Sequence, residues 1–319
     1  MPINIEDSAD SSMVKSLLSE NKHLICDYYI NEIIKDDFII HESNIYAADG
    51  IRLVKYIFSN NKLIGAYILE RLNWDSRIFE RNMWNMKLVL NERVKESLNN
   101  LRFYFMEDCK KNSIHYITCQ VKTRDYNSTC FLENLGFKLT DSIIRFGIKL
   151  SKIKEFSDDL TSQITVREYE NKDYNGYLNV VNQAFHNYSN RFRNNGSFTD
   201  EQCDRFYTEW AKNSVNGFAD LVIVAEENNN ILGFSTVKYK RPYHNNLTVA
   251  EGQLSGVYGL AREQGVNTMM MKKRLKIASA VADYYEVGTQ VYNYASQRSF
   301  YGCGLKPFSS YFSFSLLFD

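Results

Sequence analysis

Apolar and polar residues alternate over Ile164 to Tyr169, and a period of two predicts a β-strand. Next, Tyr177, Val180, Val181 and Phe185 recur at helical spacing, which predicts a helix over Asp173 to Phe185 capped by Asp173. A second helix is predicted over Asp200 to Trp210, where Cys203, Phe206, Tyr207 and Trp210 share a face. Leu221 to Glu226 and Ile231 to Tyr239 read as strands, and Asn228-Asn229-Asn230 between them suits a hairpin turn. A strand over Ala250 to Tyr258 leads into the loop Arg262 to Asn267 and a long helix from Val266 to about Tyr285. In that helix Val266, Met270, Ile277, Val281 and Tyr284 form the apolar stripe, and Lys272-Lys273-Arg274 reads as its solvated face. A strand over Glu286 to Tyr292, a short helix over Ser296 to Tyr301 and a strand over Ser309 to Phe318 complete the pattern.

The first half repeats the later part of this order. Arg52 to Phe58 and Lys62 to Leu69 form a hairpin around Asn60-Asn61, followed by a strand over Met83 to Leu90. Val94 to Lys111 is amphipathic, with Leu98, Leu101, Phe105 and Cys109 at helical spacing. A strand over Ile114 to Lys122, a helix over Asn127 to Leu135 and a strand over Ser142 to Leu150 follow. Asp125, Ser128, Phe131-Leu132 and Gly136-Phe137 align with Asn293, Ser296, Ser299-Phe300 and Gly304-Leu305. Two related domains are therefore expected, 1–155 and 156–319, joined through the polar stretch Ser151 to Gln163.

A length of 319 residues accommodates two domains, and 22 Tyr with 20 Phe supply ample core. The balance of 38 basic and 38 acidic residues argues against a nucleic-acid partner. The six cysteines form no C-x-x-C pair and fit no zinc spacing, so no metal is expected, and they read as reduced thiols. No apolar run approaches the ~18 residues of a membrane span, and Met1 to Asp10 is polar and acidic. The expectation is a cytoplasmic protein without a membrane partner.

The loop Arg262-Glu263-Gln264-Gly265-Val266-Asn267 is the main candidate for chemistry. A loop feeding a helix start presents N–H groups that can hold a pyrophosphate, and Gly265 allows close approach of the backbone. Arg262, Gly265 and their spacing resemble the Gln/Arg-x-x-Gly-x-Gly/Ala loop of the acyl-CoA-dependent N-acetyltransferase (GNAT) superfamily, with Asn267 in the last position. Asn293 and Gly304 match the ends of that family's Asn-x-x-Ala-x-x-Leu-Tyr-x-x-x-Gly-Phe motif. Ser296, Ser299, Phe300 and Leu305 stand at its Ala, Leu, Tyr and Phe positions. Leu72-Asn73-Trp74-Asp75-Ser76-Arg77-Ile78-Phe79 is similar to a segment of the TDP-fucosamine acetyltransferase-like group. Arg191-Phe192-Arg193 and the helix containing Tyr207 and Trp210 resemble two more of its segments.

The resemblance implies an α/β fold with two tandem GNAT-like domains, each on a mixed sheet, the second binding acetyl-CoA. The first is expected to be a degenerate copy, since Val89 to Ser97 has no glycine-containing loop; it would support substrate binding or a homodimer. The implied activity is an acyltransferase that N-acetylates a small-molecule primary amine, on a TDP-linked or other nucleotide-linked amino sugar. A small antibiotic or metabolite amine, or coenzyme binding without catalysis, are the alternatives. In this scheme Val257 lies beside the thioester, and Gln264 to Thr268 with Val266 hold the pyrophosphate, flanked by Arg262, Glu263, Asn293 and Phe300. Trp74, Asp75, Arg193 and Tyr207 face the acceptor. Glu251 is the candidate base, with His186 and His244 as alternatives. Phe300 lacks the hydroxyl that protonates the departing thiolate in the family. Three readings stay open: departure without an acid, substitution by Tyr258 or Ser255, and binding without transfer.

Overall fold

The computed structural model describes residues 3–25, 42–45, 52–91, 98–153, 163–241 and 247–318. The predicted helix start at Val94 to Ser97, most of the expected junction and the candidate His244 lie outside the described residues. In chain order the first half gives β1 (Ile3–Glu6), α1 (Ser11–Glu20), β2 (Leu53–Ser59), β3 (Lys62–Arg71), α2 (Asn73–Phe79) and β4 (Met83–Leu90). It continues through α3 (Leu98–Lys111), β5 (Tyr116–Lys122), α4 (Tyr126–Leu135) and β6 (Lys138–Lys149). The second half gives β7 (Thr165–Glu168), α5 (Tyr174–Phe185), α6 (Asp200–Asn213), β8 (Leu221–Glu227), β9 (Asn230–Lys240) and β10 (Val249–Val257). After these come α7 (Val266–Ala278), β11 (Tyr284–Gln290), α8 (Tyr294–Gly302) and β12 (Lys306–Leu317).

The chain divides into two compact units. Unit 1 comprises Met1–Ser142, Asn190–Phe198 and Ser310–Asp319; unit 2 comprises Ile143–Ser189 and Thr199–Ser309. Neither is one uninterrupted stretch. Unit 1 builds its sheet in the order β1-β2-β3-β4-β5-β12, taking its sixth strand from the end of the second half. Unit 2 uses the same order, β7-β8-β9-β10-β11-β6, taking its sixth strand from the first half. In each unit the fourth and fifth strands run parallel. Met83 to Met86 pair with Tyr116 to Cys119 in one, and Val249 to Gly252 with Tyr284 to Val287 in the other. The remaining neighbours within each unit are antiparallel. This mixed α/β architecture, given twice, is the one the sequence pattern implies.

Both hairpins turn on adjacent asparagines with positive φ, 49° and 61° at Asn60 and Asn61, 50° and 62° at Asn228 and Asn229. That geometry matches the twist of the flanking strands, and asparagine tolerates it better than most residues. In β3, Tyr67 and Leu69 enter one apolar cluster while Ala66 and Ile68 enter another, so both faces of this strand are covered. The core of unit 2 gathers Met270, Met271 and Leu275 of α7 against Ala250, Tyr285, Val287 and Phe146.

Three sequence expectations change. The long helix ends at Ala278, and Tyr284 and Tyr285 already belong to β11. Val281 is consequently exposed rather than part of a buried stripe. Arg274 is not on a solvated face; it is 1% exposed. Asp173 does not cap α5 with its side chain. Its carboxylate instead accepts the Glu170 N–H at 2.8 Å and pairs with Arg167 at 2.7 Å. Among the described residues no helix is long and apolar enough to cross a membrane.

Candidate functional site

The centre of unit 2 is an opening between parallel strands. β10 pairs with β11 only from Val249 to Gly252, while it stays paired with β9 as far as Val257 opposite Gly233. The register between β10 and β9 shifts between Gly252 and Ser255, where β10 carries one extra residue. Such a bulge bends a strand and increases its twist. Thr236 fastens it: its hydroxyl accepts the Leu254 N–H at 3.0 Å and donates to the Leu254 carbonyl at 3.3 Å. Beneath it the buried Arg274 guanidinium donates to the Ser235 hydroxyl at 2.6 Å and lies 5.9 Å from the Tyr285 ring centre. Beyond Gly252 the β11-facing backbone of β10 is thus free of a strand partner in that ladder.

The strand ends at Val257. The Tyr258 N–H donates to the Leu232 carbonyl at 2.7 Å, and one helical turn, Gly259–Ala261, leads to the expected loop. Arg262, Glu263, Gln264 and Gly265 are exposed. Glu263 and Gly265 both have positive φ, 69° and 76°, which turns the chain sharply into α7. A side chain at Gly265 would meet nothing within 4 Å, so the space over the loop is open. The N–H groups of Val266, Asn267 and Thr268 have no acceptor among the described residues, as the first turn of a helix requires. They form a cluster of donors at the positive end of the α7 dipole. Val266 is buried under this turn, while Asn267 and Thr268 are half-buried.

A second helix, α8, is tied to the first. The Asn293 side chain caps α8 by accepting the Ser296 N–H at 3.2 Å, as Asp125 caps α4 in unit 1 by accepting the Ser128 N–H at 3.0 Å. The Thr268 hydroxyl donates to the Ser299 hydroxyl at 3.0 Å, tying the first turn of α7 to α8. Phe300 is 4% exposed and meets Phe146 edge-on at 5.4 Å, while the exposed Tyr301 packs on the same ring at 5.2 Å. The Ser255 hydroxyl is engaged by the Phe234 carbonyl at 3.2 Å.

At the paired end of β10, Glu251 stands directly opposite Glu286 of β11. Like charges in that register repel. Arg145 of β6 resolves the conflict, with one nitrogen 3.0 Å from a carboxylate oxygen of each. Lys240 forms a second ion pair with Glu251. Burial works to raise the Glu251 carboxyl, but Lys240 and Arg145 outweigh it and hold the group below the ordinary carboxylate range. Glu251 is therefore an ionised, occupied carboxylate. The alternative base His186 is exposed and shares its Nδ1 with Asp204 at 3.0 Å.

Trp74, Asp75 and Arg193 fall in unit 1, and Tyr207 in unit 2. Burial pushes the Asp75 carboxyl up, and the Arg191 charge works against that rise. Tyr207 stacks on Phe185 at 4.3 Å, with planes 6° apart. Sequence reasoning missed Arg145 and Phe146. They are adjacent on a strand and therefore point to opposite faces, one to the carboxylates and one to Phe300. Only the alignment of the two halves could have brought that strand under suspicion.

No family model matches the chain. Similar solved structures span it almost completely. A GCN5-related N-acetyltransferase from Sphaerobacter thermophilus aligns over 99% of this chain and 96% of its own, with a TM-score of 0.62 at 12% identity. A tandem GNAT protein from the clavulanic acid biosynthesis pathway aligns over 99% and 98%, with a TM-score of 0.52 at 10% identity. A GCN5-related glucosamine N-acetyltransferase region of a fungal multi-domain GH3 β-N-acetylglucosaminidase aligns over 99% of this chain and 38% of that one, with a TM-score of 0.63 at 12% identity. The chain has the tandem GNAT fold. In sequence it is 20% identical over 178 residues to the spore coat polysaccharide biosynthesis protein SpsD of Bacillus subtilis, a match that covers 56% of this chain and 60% of that protein.

Proposed function

We propose that this protein moves an acetyl group from acetyl-CoA to a primary amine on a nucleotide-linked amino sugar. The observation that carries the reading is the opening of β10 from β11 after Gly252, next to a loop whose following helix presents three unused N–H groups. These residues fit a pantetheine arm and a pyrophosphate. Free backbone of Leu254 to Val257 would pair with the arm, and Val266 to Thr268 would hold the phosphates under the open space at Gly265. Arg262 adds a cation at the loop's exposed rim. The cofactor would supply an activated thioester.

The protein's part is positioning and charge. A backbone N–H near Val257 polarises the acyl carbonyl. Glu251, kept ionised by its cations, draws an ammonium toward the site and is a weak acceptor of its proton. A sugar amine beside electron-withdrawing oxygens gives up that proton readily, so water suffices as its acceptor. With Phe300 lacking a hydroxyl and Ser255 engaged, Tyr258 at the strand's end is the one left of the two candidate hydroxyls for the departing thiolate. The sugar class is supported by the likeness to SpsD, whose name refers to polysaccharide biosynthesis, and by the segment around Trp74.

Calorimetry with acetyl-CoA is the first test; absence of binding at millimolar ligand removes the cofactor assignment. A screen of TDP-amino sugars against amino acids, peptides and polyamines then decides the acceptor. Phe300 favours one second reading, a coenzyme-binding protein without transfer. It predicts binding with no turnover of any amine, unchanged in Phe300→Tyr.

A further inference from the structure

Unit 1 carries an open depression of about 690 Å³ between the end of β3 and the start of β4. Its lining includes Arg71, Asn73, Arg77, Glu80, Arg81 and Asn82, and every lining side chain is polar or charged. Most small-molecule pockets are lined largely by apolar side chains, whereas every side chain here ends in a polar or charged group. Three guanidinium groups face one carboxylate, a local excess of positive charge in a chain whose formal net charge is zero. Arg52, Arg145 and Arg167 each hold a carboxylate. Among the described residues Arg71, Arg77 and Arg81 hold none.

The wall behind these arginines is firmly built. The Ser76 hydroxyl donates to the Leu72 carbonyl at 2.6 Å and accepts the Met83 N–H at 3.0 Å, while the Leu72 N–H donates to the Met83 carbonyl at 2.8 Å. Glu80, at φ 56°, closes α2 with its N–H on the Ser76 carbonyl. The Arg81 guanidinium lies 5.7 Å from the Phe198 ring centre, and Phe198 packs on Phe79 at 4.4 Å. A cation held this way has lost much of its freedom before any ligand arrives. Guanidinium groups bind phosphate oxygens in pairs, and three of them exceed what a single phosphate needs.

We infer that this depression binds a diphosphate-bearing small molecule, with Arg71, Arg77 and Arg81 on its phosphate oxygens. The inference holds independently of acetyl transfer in unit 2. The test titrates the full chain, saturated with coenzyme A, with inorganic pyrophosphate, TDP and TMP by calorimetry. Saturable binding of pyrophosphate and TDP is expected, with TMP weaker. The Arg77→Gln, Arg81→Gln double variant should bind both at least about tenfold more weakly at an unchanged melting temperature, as each lost guanidinium forfeits charge-assisted hydrogen bonds. Arg71→Gln alone gives the same direction and serves if the double variant misfolds. TDP binding more tightly than pyrophosphate identifies a nucleotide-linked ligand, and equal affinities identify a simpler diphosphate. No saturable binding up to millimolar ligand, or binding that survives the double variant and disappears in Arg262→Gln, overturns the inference.

Discussion

At the scale of single residues, Arg145 holds together two carboxylates that the sheet forces face to face. Glu286 is fully buried and Glu251 is 20% exposed, so removing Arg145 takes away the cation that the two facing carboxylates share inside the sheet. Arg145→Met should cost about 3 kcal/mol in a denaturant titration. Its pH dependence has a definite sign. A carboxyl held below its unfolded value contributes stability that is present above that value and lost as pH falls through the folded one. Acid unfolding of the native chain should therefore gain a contribution from Glu251 below the ordinary carboxylate range. In Arg145→Met the onset should move to higher pH. At Phe300 the question is a proton. Phe300→Tyr should raise the rate of thiol release by roughly tenfold, a fraction of full general-acid catalysis; a thiol-trapping assay reads it directly. The strand-loop-helix passage around Gly265 and the short helix after Asn293 were legible because they follow from local loop and helix-start chemistry. Arg145 was not, since its partners lie 106 and 141 positions away. Arg274 misled for the opposite reason, because its basic neighbours made a solvated run the simplest local account.

At the scale of elements, β10 has to bend, open and pack closely at once. A Cβ at Gly252 would stand 2.4 Å from the Tyr285 hydroxyl. That hydroxyl is itself buried without a hydrogen-bond partner. Gly252→Ala should therefore destabilise by about 2 kcal/mol through overpacking. Tyr285→Phe alone should be close to neutral, because it removes a buried hydroxyl that makes no hydrogen bond. Combined, the two should recover part of the loss, and thermal unfolding of the four proteins in a double-mutant cycle measures the coupling. The strands and hairpins were readable because alternation and paired asparagines are local signals. The end of α7 was not. Ser279-Ala280-Val281-Ala282 carries no proline or glycine, and the chain leaves the helix because Tyr284 to Val287 pair with β10.

At the scale of the whole molecule, repetition in the sequence disclosed the two folds but hid how the chain is shared between them. A period-two pattern says that a strand exists and is silent on which sheet will hold it. β6 and β12 each serve the unit to which the opposite half of the chain contributes most. A fragment of residues 1–155 would lack β12, leaving the Tyr116 to Lys122 edge without its antiparallel partner. That fragment should aggregate or lose its fixed tertiary signal in near-ultraviolet circular dichroism, and co-expression with 156–319 should restore a soluble complex. The same sharing sets an order of events during synthesis. Domains are generally completed as they leave the ribosome, the earlier one first. Here unit 1 begins first yet waits for β12, which is translated after every strand of unit 2. Unit 2 already has β6 in hand when its own strands emerge. The half made first is therefore the half finished last, and for most of translation it exposes an unfinished sheet edge that a chaperone would have to shield.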